Sequence, residues 1–170
     1  MVTVAVFEFS VMRCQPLRRA LYAGQYMESK CNRINLSIEQ LEMAIGLFLS
    51  KKSFVSALTL AGAAEEVLGQ AVKRRGEENS LQEQYRISQS TNWITPAESW
   101  AEFTTRNKNK VRNAVKHLAE KDAVEFVADI EDEALWMIVR ATDNYRRLGL
   151  DYTDLMHEFD CWFYEHVVGI

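Results

Sequence analysis

From Asn35 onward, apolar residues recur at three- and four-residue steps, the period of an amphipathic helix. Leu36, Ile38, Leu41, Ile45, Phe48 and Leu49 mark the first stripe. Ser37 and Gln40 have the spacing of a capping box, and the run ends near Ser50–Lys52. Ser53 is placed to cap a second helix, striped by Phe54, Leu58, Ala61, Leu68 and Val72. Lys73, Arg74 and Arg75 followed by Gly76 form a stop signal: cations complement the carbonyl end, and glycine accepts the left-handed turn. The short connection predicts an antiparallel hairpin. Ala57, Ala61, Gly62, Ala63 and Ala64 give it a small-residue face that permits close helix approach.

Residues 77–94 are polar and lack a clear period, which predicts a linker or a short irregular helix. Thr95-Pro96-Ala97-Glu98 carries the signals of a helix start. That helix is expected to run through Trp100 and Phe103 toward residue 119, with a break near Asn107–Asn109. Asp129 is placed to cap a helix through Ile130, Leu135, Ile138, Val139 and Tyr145 to Gly149. Asp151 opens a last one carrying Leu155, Phe159, Trp162 and Phe163. The expected fold is all-α, an up-and-down bundle of four or five helices. Residues 1–26 read differently: Val2, Val4 and Val6 alternate, then Arg13, Arg18 and Arg19 follow. They are expected to form an N-terminal arm, with 27–170 as the helical domain.

Composition narrows the class. The chain has 170 residues, 48% hydrophobic and 26% charged, enough for one globular core. Two prolines and seven glycines are too few for an all-β fold with a turn every ten residues. Cys14, Cys31 and Cys161 are isolated, which argues for reduced thiols rather than a disulfide framework or a clustered zinc site. No apolar run approaches the ~20 residues of a membrane span. The apolar N-terminus lacks the basic stretch that precedes a signal sequence. A cytoplasmic location without membrane contact is expected.

The net charge of −4 excludes a general affinity for nucleic acid, but the charge is unevenly placed. Residues 105–121 hold six cations, Arg106, Lys108, Lys110, Arg112, Lys116 and Lys121, against Glu120 alone. Residues 122–165 hold twelve acids against three arginines. Two solvated helix faces would account for this; so would a local cationic patch suited to phosphate. Inside the basic segment, Asn113 and His117 are four apart, hence neighbours on a helix, with Arg112 and Lys116 in the adjacent row. Val111, Val115 and Leu118 are left to face the core. Imidazole can move a proton near neutral pH, guanidinium binds phosphate as a fork, and the amide can orient either. Such a set suits metal-independent RNA cleavage by the ribose 2′-hydroxyl.

The segment Arg112-Asn113-Ala114-Val115-Lys116-His117 resembles the R-x4–6-H signature of the HEPN superfamily, in which a polar residue often follows the arginine. The stretch Ser56–Glu66 is similar to the long second helix of some bacterial members, and Glu133–Ile138, after the motif, also resembles those proteins. The resemblance covers roughly residues 35–150. It implies an all-α domain, usually a homodimer, often an endoribonuclease acting as a toxin or defence effector, with arginine and histidine of two protomers meeting in one cleft. Arg112 would then hold the scissile phosphate, His117 would transfer the proton and Asn113 would position either. Arg106, Lys108, Lys110 and Lys116 would bind RNA. A cognate antitoxin or a nucleotidyltransferase-like partner is implied as well, and no cofactor. Other members have lost catalysis and bind a nucleotide, RNA or a partner protein.

Other candidates are weaker. Asp154, His157, Glu158, Cys161 and Glu165 share neighbouring faces of the last helix, but a bundle metal site needs matching ligands on several helices. Of Glu65 and Glu66, one is expected to face solvent; the pair reads first as the amphipathic boundary of the helix, and the alternative is that the other glutamate is a half-buried partner for Arg112 or another base. Trp93, Trp100, Trp136 and Trp162 are expected in the core or a dimer interface.

Overall fold

Asn32, ahead of the first predicted stripe, starts the first helix. Its side-chain oxygen accepts from the N–H groups of Ile34 and Asn35, at 2.9 and 3.3 Å. In this computed structural model, which describes residues 30–91 and 99–170, α1 spans Arg33–Leu49 and α2 spans Phe54–Arg74. Ser37 is not a cap: it is buried, and its hydroxyl donates to the Ile34 carbonyl at 2.7 Å. Ser53 does cap α2, and Gly76 takes φ +77° just past its end.

α3, Ser80–Ser90, is the short helix of the two alternatives for this stretch, and it is regular rather than irregular. Its start is a complete capping box: Asn79 accepts from the Gln82 N–H while the Gln82 side chain accepts from Asn79. The Thr95-Pro96 start signal and Trp93 lie outside the described residues, as does the arm 1–26. The next described helix, α4 (Trp100–Glu102), begins at Ser99 with its own capping box. It widens at once into a π-helical turn over Phe103–Lys108, closed by the Asn109 N–H on the Thr104 carbonyl at 3.0 Å. α5, Lys110–Lys116, comes after this break. α6, Ile130–Arg147, is capped by Asp129. α7, Asp154–Phe163, starts at Thr153 rather than Asp151.

Among the described residues there is no strand, and seven α-helices stand where four or five were expected. The protein is an all-α helical bundle. α2 is central, packing along α1 on one side and α6 on the other, while α7 closes against α1. Leu41, Ile45, Leu58, Leu68, Ile138 and Met156 are fully buried between them. Ala57, Ala61 and Ala64 are also fully buried, so the small-residue face lets the neighbours approach α2 closely. No helix of the described residues is long and apolar enough to cross a membrane.

Candidate functional site

Arg140 is the least expected member of the site. α6 buries Ala134, Met137, Ile138, Ala141 and Tyr145, and Arg140 and Asn144 sit inside that stripe, one turn apart. Arg140 is 3% exposed. Its guanidinium donates to the Lys108 carbonyl (3.2 Å), to Oδ1 of Asn109 (2.8 Å) and to Sδ of Met137 (3.0 Å). It therefore ties the break at Asn109, from which α5 departs, to the middle of α6. Burial pushes Arg140 down from its usual pKa, opposed by the charge of Glu65.

Glu65 supplies the compensating charge. It is 4% exposed on α2, and its Oε2 stands 3.7 Å from Nη2 of Arg140 and 4.0 Å from Nη1 of Arg112. Glu66, one residue on, has a 63% exposed side chain and takes Nη2 of Arg112 at 2.5 Å. Arg112 is thus clamped by both carboxylates of α2, its own side chain only 11% exposed. It reaches them by crossing α2 at Gly62, where a Cβ would stand 2.8 Å from its Cδ and Nε. The Nε atoms of Arg112 and Arg140 are buried and meet no acceptor among the described residues. Two guanidinium groups share two carboxylates, and the inner pair is desolvated.

His117 leaves the helix that carries Arg112. It is the C-terminal cap of α5 with an extended backbone, φ −131° and ψ 139°, and its N–H closes the last turn on the Asn113 carbonyl. Asn113 and His117 line one open cavity of about 580 Å³ with Lys110. Leu118, Val124 and Phe126 form apolar parts of its wall, and Asp122 and Glu125 add negative charge. Leu118 is 68% and Val124 83% exposed, so Leu118 does not face the core as its spacing suggested; Val111 is buried and Val115 packs on the core. Arg112 does not line this cavity. Within one chain the structure brings Asn113, His117 and Lys110 together and holds Arg112 on the α2 side.

The remaining basic residues are dispersed. Lys116 lies on a different cleft, between α1 and α2. Its pKa is lowered, first by burial and then by the nearby Arg112 charge. Lys108 stands 5.7 Å from the centre of the Phe103 ring and lines a third cavity with Glu133 and Arg140. The side chain of Arg106 is outside the described residues. On α7, among the described residues, no group of three or more His, Cys, Asp or Glu is placed to hold a metal ion. Trp162 packs against Phe48 and Phe159, whereas Trp136 is half exposed and Trp100 stacks on Phe103 and meets Tyr85 edge-on at the α3–α4 edge.

No family model, curated protein or solved structure matches the chain.

Proposed function

We propose that this chain is a non-catalytic, HEPN-like interaction module that associates with a second copy of itself through the face around His117. One observation carries this reading: the Arg112 fork, which a ribonuclease would turn to a phosphate, is occupied by Glu65 and Glu66 of the same chain. The face itself supports association. Leu118, Val124 and Phe126 are exposed on the connection between α5 and α6, around a cavity with charges of both signs. Contiguous apolar residues rimmed by charge mark protein contact surfaces. Lys110 and His117 on one copy can meet Asp122 and Glu125 on the other, the self-complementary pattern of a two-fold interface. Sedimentation of the wild type should give a dimer at micromolar concentration, and Phe126→Asp should give a monomer with an unchanged helical spectrum. A wild type that sediments only at 19.6 kDa overturns the reading.

A second reading retains ribonuclease chemistry. It rests on Asn113 and His117 standing together on an open cavity beside Lys110. Arg112 would be released from Glu66, whose carboxylate is exposed, to stabilise charge developing on the phosphate. His117 would transfer the proton of the ribose 2′-hydroxyl. Because that hydroxyl is the nucleophile, EDTA would not inhibit, and a 2′-deoxy substrate would resist.

A further inference from the structure

A cavity of about 510 Å³ lies between α3 and α6 and shares no lining residue with the His117 cavity. α6 supplies two adjacent rows at helical spacing: Asp132, Trp136 and Arg140 in one, Glu133 and Met137 in the other. Ile87 borders it from α3, and Lys108, the last residue of the π-helical turn, from a third side. Met137 and Arg140 are buried and form its floor. Its apolar surface is held in place. The Trp136 indole donates from Nε1 to Oδ1 of Asp132 at 3.0 Å and meets the Phe163 ring edge-on at 6.0 Å, yet stays half exposed. Ile87 is exposed as well.

The charges around this cavity carry both signs and do not meet. Arg140 is already answered by Glu65, 3.7 Å away. Lys108 and Glu133 act on each other's ionisation, so they are near neighbours. Yet among the described residues no carboxylate lies within ion-pair distance of Lys108, and no cation within that distance of Glu133. Desolvation lowers the Lys108 pKa and raises that of Glu133, so each charge sits where water is partly excluded and no counter-charge touches it. The charge of Asp132 pushes Glu133 up further. A simple anion entering here meets Asp132 and Glu133, and a simple cation meets Lys108 and Arg140. A small molecule with an ammonium and a carboxylate on neighbouring atoms answers both sides at once.

We propose that this cavity binds a free α-amino acid with a large apolar side chain, its carboxylate on Lys108, its ammonium on Glu133 and Asp132, and its side chain against Trp136 and Ile87. The volume is within the range of about 300–1,000 Å³ common for small-ligand sites, and an apolar wall with a few convergent polar groups is their general form. The π-helical turn that carries Lys108 fits this role, since such turns are frequent at functional sites, and Arg140 fixes it through the Lys108 carbonyl. The site does not depend on self-association through the His117 face.

Calorimetric titration of the full chain with L-phenylalanine tests this, with hydrocinnamate, phenethylamine and glycine as separate arms. L-Phenylalanine should bind. The other three each lack the ammonium, the carboxylate or the side chain, and each should bind at least about tenfold more weakly. Lys108→Gln and Glu133→Gln should each weaken L-phenylalanine binding about tenfold. Trp136→Ala should reduce its affinity to that of glycine, while Lys116→Gln, in another cleft, should leave it unchanged. Circular dichroism of each variant should match the wild type. No binding of L-phenylalanine at millimolar concentration, or binding unaffected by Lys108→Gln or by Glu133→Gln, overturns the proposal. Equal affinity for phenethylamine overturns the part assigned to Lys108, and equal affinity for hydrocinnamate the part assigned to Glu133 and Asp132.

Discussion

Arg112 crosses α2 in the space that a side chain at Gly62 would fill. An alanine Cβ there would stand 2.8 Å from Cδ and Nε of Arg112, closer than real contacts allow. Alanine is worth about 1 kcal/mol over glycine in a helix interior, so the substitution would otherwise stabilise α2. Gly62→Ala should instead destabilise the protein by about 1–3 kcal/mol, because Arg112 must leave its carboxylates. In an Arg112→Ala background the same change should be stabilising. Urea denaturation of the four proteins measures the coupling, and additive effects would mean the two residues do not compete.

Glu65 and Glu66 are adjacent and both face Arg112, yet burial separates their effects. Glu65→Ala leaves Arg140 and Arg112 without their shared buried counter-charge and should cost about 3–5 kcal/mol. Glu66 is mostly solvated, and Glu66→Ala should cost less than about 1 kcal/mol. Equal losses in denaturation would place the two carboxylates in the same environment, contrary to the structure.

The long helices were legible because their stripes are long and their ends carry chemical signals: Ser53 and Asp129 cap where their spacing says. The stretch 77–94 leaves a linker and a short irregular helix open, because the stabilisation of α3 is local to its start and otherwise tertiary: a capping box at Asn79, then attachment to α6. A capping box can also mislead, since Ser37 and Gln40 have the spacing but the backbone is already helical there. At the site, a charged pair within an alanine-rich helix reads first as an amphipathic boundary; in the structure the exposed Glu66 is the nearer partner of Arg112, and the buried Glu65 lies closer to Arg140. His117 was misplaced because helical periodicity assumes the helix continues, and α5 ends at Lys116. Arg140 has a signal of its own in the sequence: with Asn144 it is a polar residue on a core position of the α6 stripe.

Asn144 is fully buried and joins three helices. Its side-chain oxygen accepts from the Ser80 N–H at 2.8 Å, at the start of α3, and its amide nitrogen donates to the Glu65 carbonyl at 3.4 Å. Asn144→Ala leaves those buried groups unpaired and should cost about 1–3 kcal/mol. Amide exchange in the first turn of α3 should accelerate more than exchange in α1. Uniform acceleration would show that Asn144 does not specifically anchor α3.

Lys116 should impose a pH-dependent cost. Its folded pKa lies below the ordinary 10.5, by burial first and by Arg112 second. The charged form is therefore disfavoured in the fold at neutral pH, and the cost disappears once pH exceeds the unfolded value. Lys116→Gln should melt above the wild type at pH 7, with the difference closing as pH rises toward and past 10.5. A difference that grows with pH would contradict the partial desolvation of this ammonium.

Whether the α2 carboxylates keep Arg112 from acting on phosphate is tested most directly by incubating the purified chain with total RNA in EDTA, beside His117→Ala. The expected result is intact RNA with both proteins. Products ending in 2′,3′-cyclic phosphate with the wild type, and none with His117→Ala, would contradict the non-catalytic reading and establish the ribonuclease.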